Sequence, residues 1–160
     1  CVACAGPGLR YSPTAKAIVG PATLTSRPAG LRDLLWQPAE LYPPEVLTGA
    51  LSAPGVAYEA KVTKYWTRQD FPEIASHVRV PVQFSVAEHE SVWESTPEAV
   101  ATIAGLFTSS PRVVVNEVQD SGHNVSVALS ADVYHRTVLS FIEQCIVAAS
   151  GRDPEHVEAS

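Results

Sequence analysis

Apolar residues in this chain fall into two kinds of run. Short, densely apolar runs bounded by turn residues read as buried strands. They are residues 1–5, closed off by Gly6-Pro7-Gly8, then residues 78–86 (VRVPVQFSV), then the triplet Val113, Val114 and Val115. Pro81 sits inside the second run and cannot donate to a ladder. The longer runs have helical spacing. Val100, Ile103, Ala104 and Phe107 share one face, and Tyr134, Val138, Phe141, Ile142, Cys145 and Ile146 form an apolar stripe. Thr96-Pro97-Glu98 starts the first of these helices, with the hydroxyl as cap, proline in the first turn and an acid at the positive end of the dipole. Ser130 is placed to cap the second, which the spacing predicts from about Ala131 to Ala149.

Residues 9–77 break this regularity. Prolines at 13, 21, 28, 38, 43, 44, 54 and 72 forbid long helices and predict short ones over residues 29–36, 44–51 and 56–68. Trp36, Tyr42, Tyr58, Tyr65 and Trp66 gather in the same stretch. An insert of this length is either a lid over a pocket or a peripheral helical layer. As a lid, it would line the pocket with Trp36, Tyr42, Tyr65 or Trp66 and favour a substrate with a sizeable apolar part; as a layer, its aromatics would be core. The whole order is strand, helical insert, strand, helix, strand, helix. That alternation predicts an α/β fold with a mainly parallel sheet. The polar stretch 151–160 is expected to be a mobile tail.

Composition narrows the function classes. A chain of 160 residues with 46% hydrophobic content can build one domain with a core, and no run in it is apolar enough to span a bilayer. The net charge of −6, with scattered Lys and Arg, gives no basic patch for nucleic acid. Three cysteines, Cys1, Cys4 and Cys145, have neither zinc spacing nor the number for a disulfide framework. A reducing, cytoplasmic setting with no metal and no cofactor is the expectation.

The chemistry points to one stretch, RVVVNEVQDSGHN. His123 follows the third strand, Gly122 lets the backbone turn before it, and a helix comes after, so the imidazole is expected on a strand-to-helix loop. That is where open parallel sheets place ligands. Glu88 and Glu90 stand at the equivalent end of the preceding strand. A carboxylate there that accepts the imidazole N–H would fix its tautomer and leave the other nitrogen free to take a proton.

With these residues in view, the chain resembles the C-terminal half of an α/β-hydrolase. The resemblance rests on VPVQFSVAEHE as strand and acid loop, VVVNEVQDSGHNVSV as the histidine loop, and ADVYHRTVLSFIEQ as the closing helix. The opening CVACAGPGLRYSP is similar to the strand after the nucleophile-bearing helix. The order of acid then histidine matches that family. The resemblance implies Glu90 as the acid, with Glu88 its competitor, His123 as the general base, and residues 9–77 as the lid. It implies hydrolysis or transfer of an acyl group from an ester, thioester or amide.

The nucleophile is the departure from the family pattern. No G-x-S-x-G elbow occurs in the sequence, and Val2-Ala3-Cys4-Ala5-Gly6 is only a faint likeness of one. The expectation is therefore a nucleophile on a separate N-terminal fragment of the same precursor, cut before Cys1, which would also pair the open edge of the first strand. Two other classes stay open. One is a non-catalytic binding module of the same fold. The other is a hydrolase whose N-terminal Cys1 is the nucleophile, with its own amine as base.

Overall fold

A computed structural model describes residues 2–4, 10–19, 29–52 and 69–151. Three strands, β1 (Val2–Cys4), β2 (Val82–His89) and β3 (Val113–Gly122), form one parallel sheet in the order β1-β2-β3. Helices fill the connections: α1 (Pro13–Val19), α2 (Ala29–Leu34) and α3 (Pro44–Ser52) after β1, then α4 (Phe71–Ser76) before β2, α5 (Pro97–Ala104) between β2 and β3, and α6 (Ala131–Ser150) at the end. The alternation of parallel strands and helices is the α/β arrangement that the sequence pattern predicts. Among the described residues, no helix is long and apolar enough to cross a membrane.

The central strand is buried along most of its length, with polar Gln83 and Ser85 included; Gln83 Nε2 donates to the Ser85 hydroxyl (3.4 Å). Residues 82–87 are buried on both faces. Val82, Phe84 and Val86 pack with Phe71 and Ala75 of α4, with Val100 and Ile103 of α5, and with Phe107. Ala87 faces the other way, into a cluster with Val118, Val125 and Tyr134 of α6. Each face of the sheet therefore has its own helices, as a parallel sheet requires. Register is held at the entry end, where Val82 N–H donates to Arg112 O (2.9 Å) and the Ser110 hydroxyl donates to Val80 O (2.9 Å).

Several elements differ from their sequence reading. β2 starts after Pro81, which has no N–H to donate, and it runs on through the polar Glu88 to His89. β3 runs for ten residues and is an edge strand among the described residues, where the apolar pattern marked only a buried triplet. Val115 is 47% exposed, and the side chains of Glu117, Gln119 and Asp120 in the polar half are exposed as well. Helix α2 stops at Leu34, two residues short of the expected end. The apolar stripe of α6 is also narrower than its spacing suggests. Tyr134 and Phe141 are buried, whereas Ile142 and Ile146 are 42% and 59% exposed.

Helix starts follow local chemistry at two points. Thr96 caps α5, its hydroxyl accepting from Ala99 N–H at 3.2 Å. Ser12 does the same for α1, accepting from Ala15 N–H at 3.1 Å, with Pro13 next in sequence. Ser130 makes no such cap; its hydroxyl donates instead to Asp120 O (2.9 Å), tying α6 to the end of β3. Helix α1 did not stand out in the sequence, whereas α4 is the short helix expected to end at His77. The helix expected over residues 56–68 lies outside the described residues, as do Cys1, Tyr58, Tyr65, Trp66 and the tail after Gly151.

Candidate active site

His123 follows the last residue of β3, and Glu90 follows the last residue of β2, so both occupy the C-terminal end of the sheet. Their side chains meet. His123 Nδ1 is 3.0 Å from Glu90 Oε1 and 2.9 Å from Oε2. An ionised carboxylate can only accept, so the proton of this bond sits on Nδ1 and the neutral ring presents Nε2 as an acceptor. The Glu90 side chain is 1% exposed and that of His123 is 18% exposed. Such a buried carboxylate is tolerable only with its oxygens satisfied. Here Oε1 also accepts from Val92 N–H (2.8 Å) and Trp93 N–H (3.2 Å). The loop after β2 therefore curls around its own acid, and the histidine closes the remaining side.

Glu88 is separated from this pair by an irregularity in the ladder. The β2–β3 register shifts between Ala87 and His89. Glu88 Oε2 then accepts from Asp120 N–H (2.8 Å), on the exposed side of β3. Asp120 has φ of 49°, a left-handed conformation that Asp adopts more readily than most residues. Of the two candidate acids, only Glu90 reaches His123. His89 lies 3.7 Å from Glu88 on the surface, and His77 and His135 are exposed. Among the described residues, no group of three His, Cys, Asp or Glu side chains could hold a metal ion.

The histidine loop is gripped by the chain between α2 and α3. Tyr42, whose hydroxyl accepts from Asn124 N–H (3.1 Å), is 3% exposed. Asn124 Nδ2 donates to Leu35 O (2.7 Å), and Leu129 N–H donates to Leu41 O (2.8 Å). Gly122 is needed for this closeness. A Cβ at that position would run into Gln37 O and the Tyr42 hydroxyl. The turn was the expected reason for glycine here, but close approach is the reason the structure supplies. Gly122→Ala is accordingly expected to destabilise the protein by about 1–3 kcal/mol, because one of the clashing atoms is backbone and cannot rotate away. Thermal unfolding of the variant measures this.

Trp36 and Tyr42, two of the four aromatics expected to line a pocket, stand beside the histidine loop with ring centroids 5.3 Å apart, edge to face. Trp36 is half-buried, whereas the burial of Tyr42 makes it a support for the loop instead of an open wall. Tyr65 and Trp66 lie outside the described residues. Burial pushes the Tyr42 hydroxyl above its ordinary ionisation range; the Asn124 N–H opposes the shift and the Glu90 charge adds to it. The native state therefore holds this proton where the unfolded chain releases it. From about pH 10 upward wild type should lose stability that Tyr42→Phe does not, and melting curves of the two across that range will show the gap between them change.

Among the described residues, two of the open clefts lie away from the pair. One of about 420 Å³ lies between α6 and the sheet, with Gln83, Arg112, Val114 and Phe141 in its walls. The other, about 300 Å³, is bounded by Arg10, Glu94, Thr96 and Ile103. Among the described residues, no hydroxyl or thiol is hydrogen-bonded to His123 Nε2. The side chain of Cys4 is outside the described atoms and Cys145 is free on α6. Compared with known proteins, the chain matches no protein-family model and no curated sequence.

Proposed function

We propose that this chain carries the general base and acid of an acyl hydrolase or acyltransferase with an α/β-hydrolase-like sheet. The observation that carries the reading is the buried Glu90 carboxylate held on Nδ1 of a partly exposed His123. The strand order supports it as well, since an acid after β2, a histidine after β3 and a closing helix follow the family's sequence of parts.

In this reading His123 Nε2 takes the proton of a serine or cysteine as that nucleophile attacks the carbonyl of an ester, thioester or amide. The imidazolium so formed donates the proton to the leaving group. The reverse relay, with water or another acceptor, frees the acyl group. Glu90 stabilises the imidazolium and keeps Nε2 free in the resting state. The nucleophile is supplied by a polypeptide segment outside these residues, the N-terminal part of the same precursor. One feature supports that assignment: among the described residues, no hydroxyl or thiol is bonded to Nε2.

Covalent capture tests this. The protein in its native polypeptide context is treated with a fluorophosphonate, which labels activated serine, and separately with iodoacetamide for cysteine, and the adduct is mapped by mass spectrometry. A single activated residue outside the 160 positions, protected by a chromogenic short-chain ester that is turned over, is the expected result. Turnover with the label on Cys4 would move the nucleophile into this chain. No adduct and no turnover would overturn the reading.

A further inference from the structure

The segment at residues 9–77 touches both halves of the pair. Near its start, Ser12 N–H donates to Val92 O (2.9 Å) and the Ser12 hydroxyl donates to Ser91 O (2.6 Å). Tyr11 stacks on Trp93 at 4.9 Å between centroids, and Ala15, Leu34 and Val92 form a small buried cluster. These contacts hold the loop that presents Glu90. Residues 35–42 hold the loop that presents His123. The described part of the insert therefore acts as a bracket between the two loops.

Within the bracket, Tyr42 touches the backbone on both sides of the histidine. Its hydroxyl accepts from the amide of Asn124, the residue after His123, and closes on the bare Cα of Gly122, the residue before it. The aim of an imidazole is set by the backbone that carries it, and a displacement of about 1 Å at a reacting group costs on the order of 10²-fold in rate. We infer that Tyr42 is the positioning residue of the pair, acting through the Asn124 amide and the Gly122 Cα to hold the His123 ring against Glu90. For catalysis this rests on the function proposed above, whereas the geometric statement stands without it.

Tyr42→Phe keeps the ring and its edge contact with Trp36 while removing the acceptor. The primary readout is proton NMR of the His123 Nδ1–H in the full chain, assigned by its loss in His123→Ala. Exchange of this proton with water is expected to be about tenfold or more faster in Tyr42→Phe, because a looser ring leaves the carboxylate more often. In parallel, in the native polypeptide context that supplies the nucleophile, kcat on the chromogenic ester should fall by roughly 10²-fold with KM within about twofold, since aim and not affinity is lost.

Asn124→Ala serves as the comparison. It cuts the bond to Leu35 but leaves the Asn124 amide on Tyr42, so its effect on exchange should be smaller. A folded Tyr42→Phe protein with wild-type exchange would show that Tyr42 only packs and would overturn the inference. An Asn124→Ala effect equal to or above that of Tyr42→Phe would overturn it too, by assigning the role to the side-chain tie. If wild type in its native polypeptide context turns over no ester, the acyl-transfer reading fails, and the exchange measurement still decides the role of Tyr42.

Discussion

His123→Ala is expected to lower turnover of an activated ester by about 10⁴-fold or more, with the chain still folded. General acid and base catalysis by one group contributes up to roughly 10⁴-fold, and removing the histidine from a coupled set costs more than that share. The fold should survive for a reason visible in the acid loop. With the imidazole gone, Glu90 Oε1 keeps the Val92 and Trp93 amides, so the buried carboxylate is not left bare. Loss of the remaining bond should destabilise by about 1–3 kcal/mol. Steady-state kinetics beside circular dichroism and thermal melting separate the two effects. A folded variant with wild-type turnover would remove His123 from the chemistry.

Glu90→Gln is expected to lower kcat by about 10³–10⁴-fold with little change in KM, whereas Glu88→Gln should change it by less than about threefold. The large effect follows from the tautomer. In Glu90→Gln the amides of Val92 and Trp93 need an acceptor, so the carboxamide oxygen turns toward them and its NH₂ takes the place of Oε2, 2.9 Å from His123 Nδ1. An NH₂ group donates, so Nδ1 must accept and the ring proton moves to Nε2. The base is then blocked where it should take a proton. At position 88 a glutamine can still accept from Asp120 N–H, and the site is exposed, so stability should stay within about 0.5 kcal/mol. Kinetics on both variants, with imidazole nitrogen shifts to read the tautomer, check the ranking. A larger loss in Glu88→Gln would reassign the acid.

The contrast between the two glutamates shows where sequence pattern stops. In a regular strand residues 88 and 90 point to the same face, so alternation cannot choose between them. The shift in register between Ala87 and His89, and the curl of the following loop, send Glu88 to Asp120 and Glu90 to His123. Neither event has a local signature. Gly122 was visible as a turn residue, yet what requires it is the approach of Gln37 and Tyr42, some 80 residues earlier in the chain. Ser130 carried a cap signature and was drawn instead to Asp120 O, because the end of β3 lies within its reach.

Three things were decided by the sequence itself. The densely apolar runs set the alternation of strands and helices, since a strand buried on both faces carries few polar side chains and pairs those it has, as Gln83 and Ser85 do in β2. The hydroxyl and proline at Thr96-Pro97 set the start of α5, because an N-cap is satisfied within three residues. The chain order placed an acid and a histidine after consecutive strands, and parallel pairing with short loops then brings both to one end of the sheet. Tertiary structure decided the rest: which acid meets the imidazole, which ring braces the histidine loop, and how much of α6 is buried. Those outcomes depend on register and on packing between segments 30 to 90 residues apart. A residue's own neighbours in sequence carry the periodicity that makes an element, but not the distance to the element it will face.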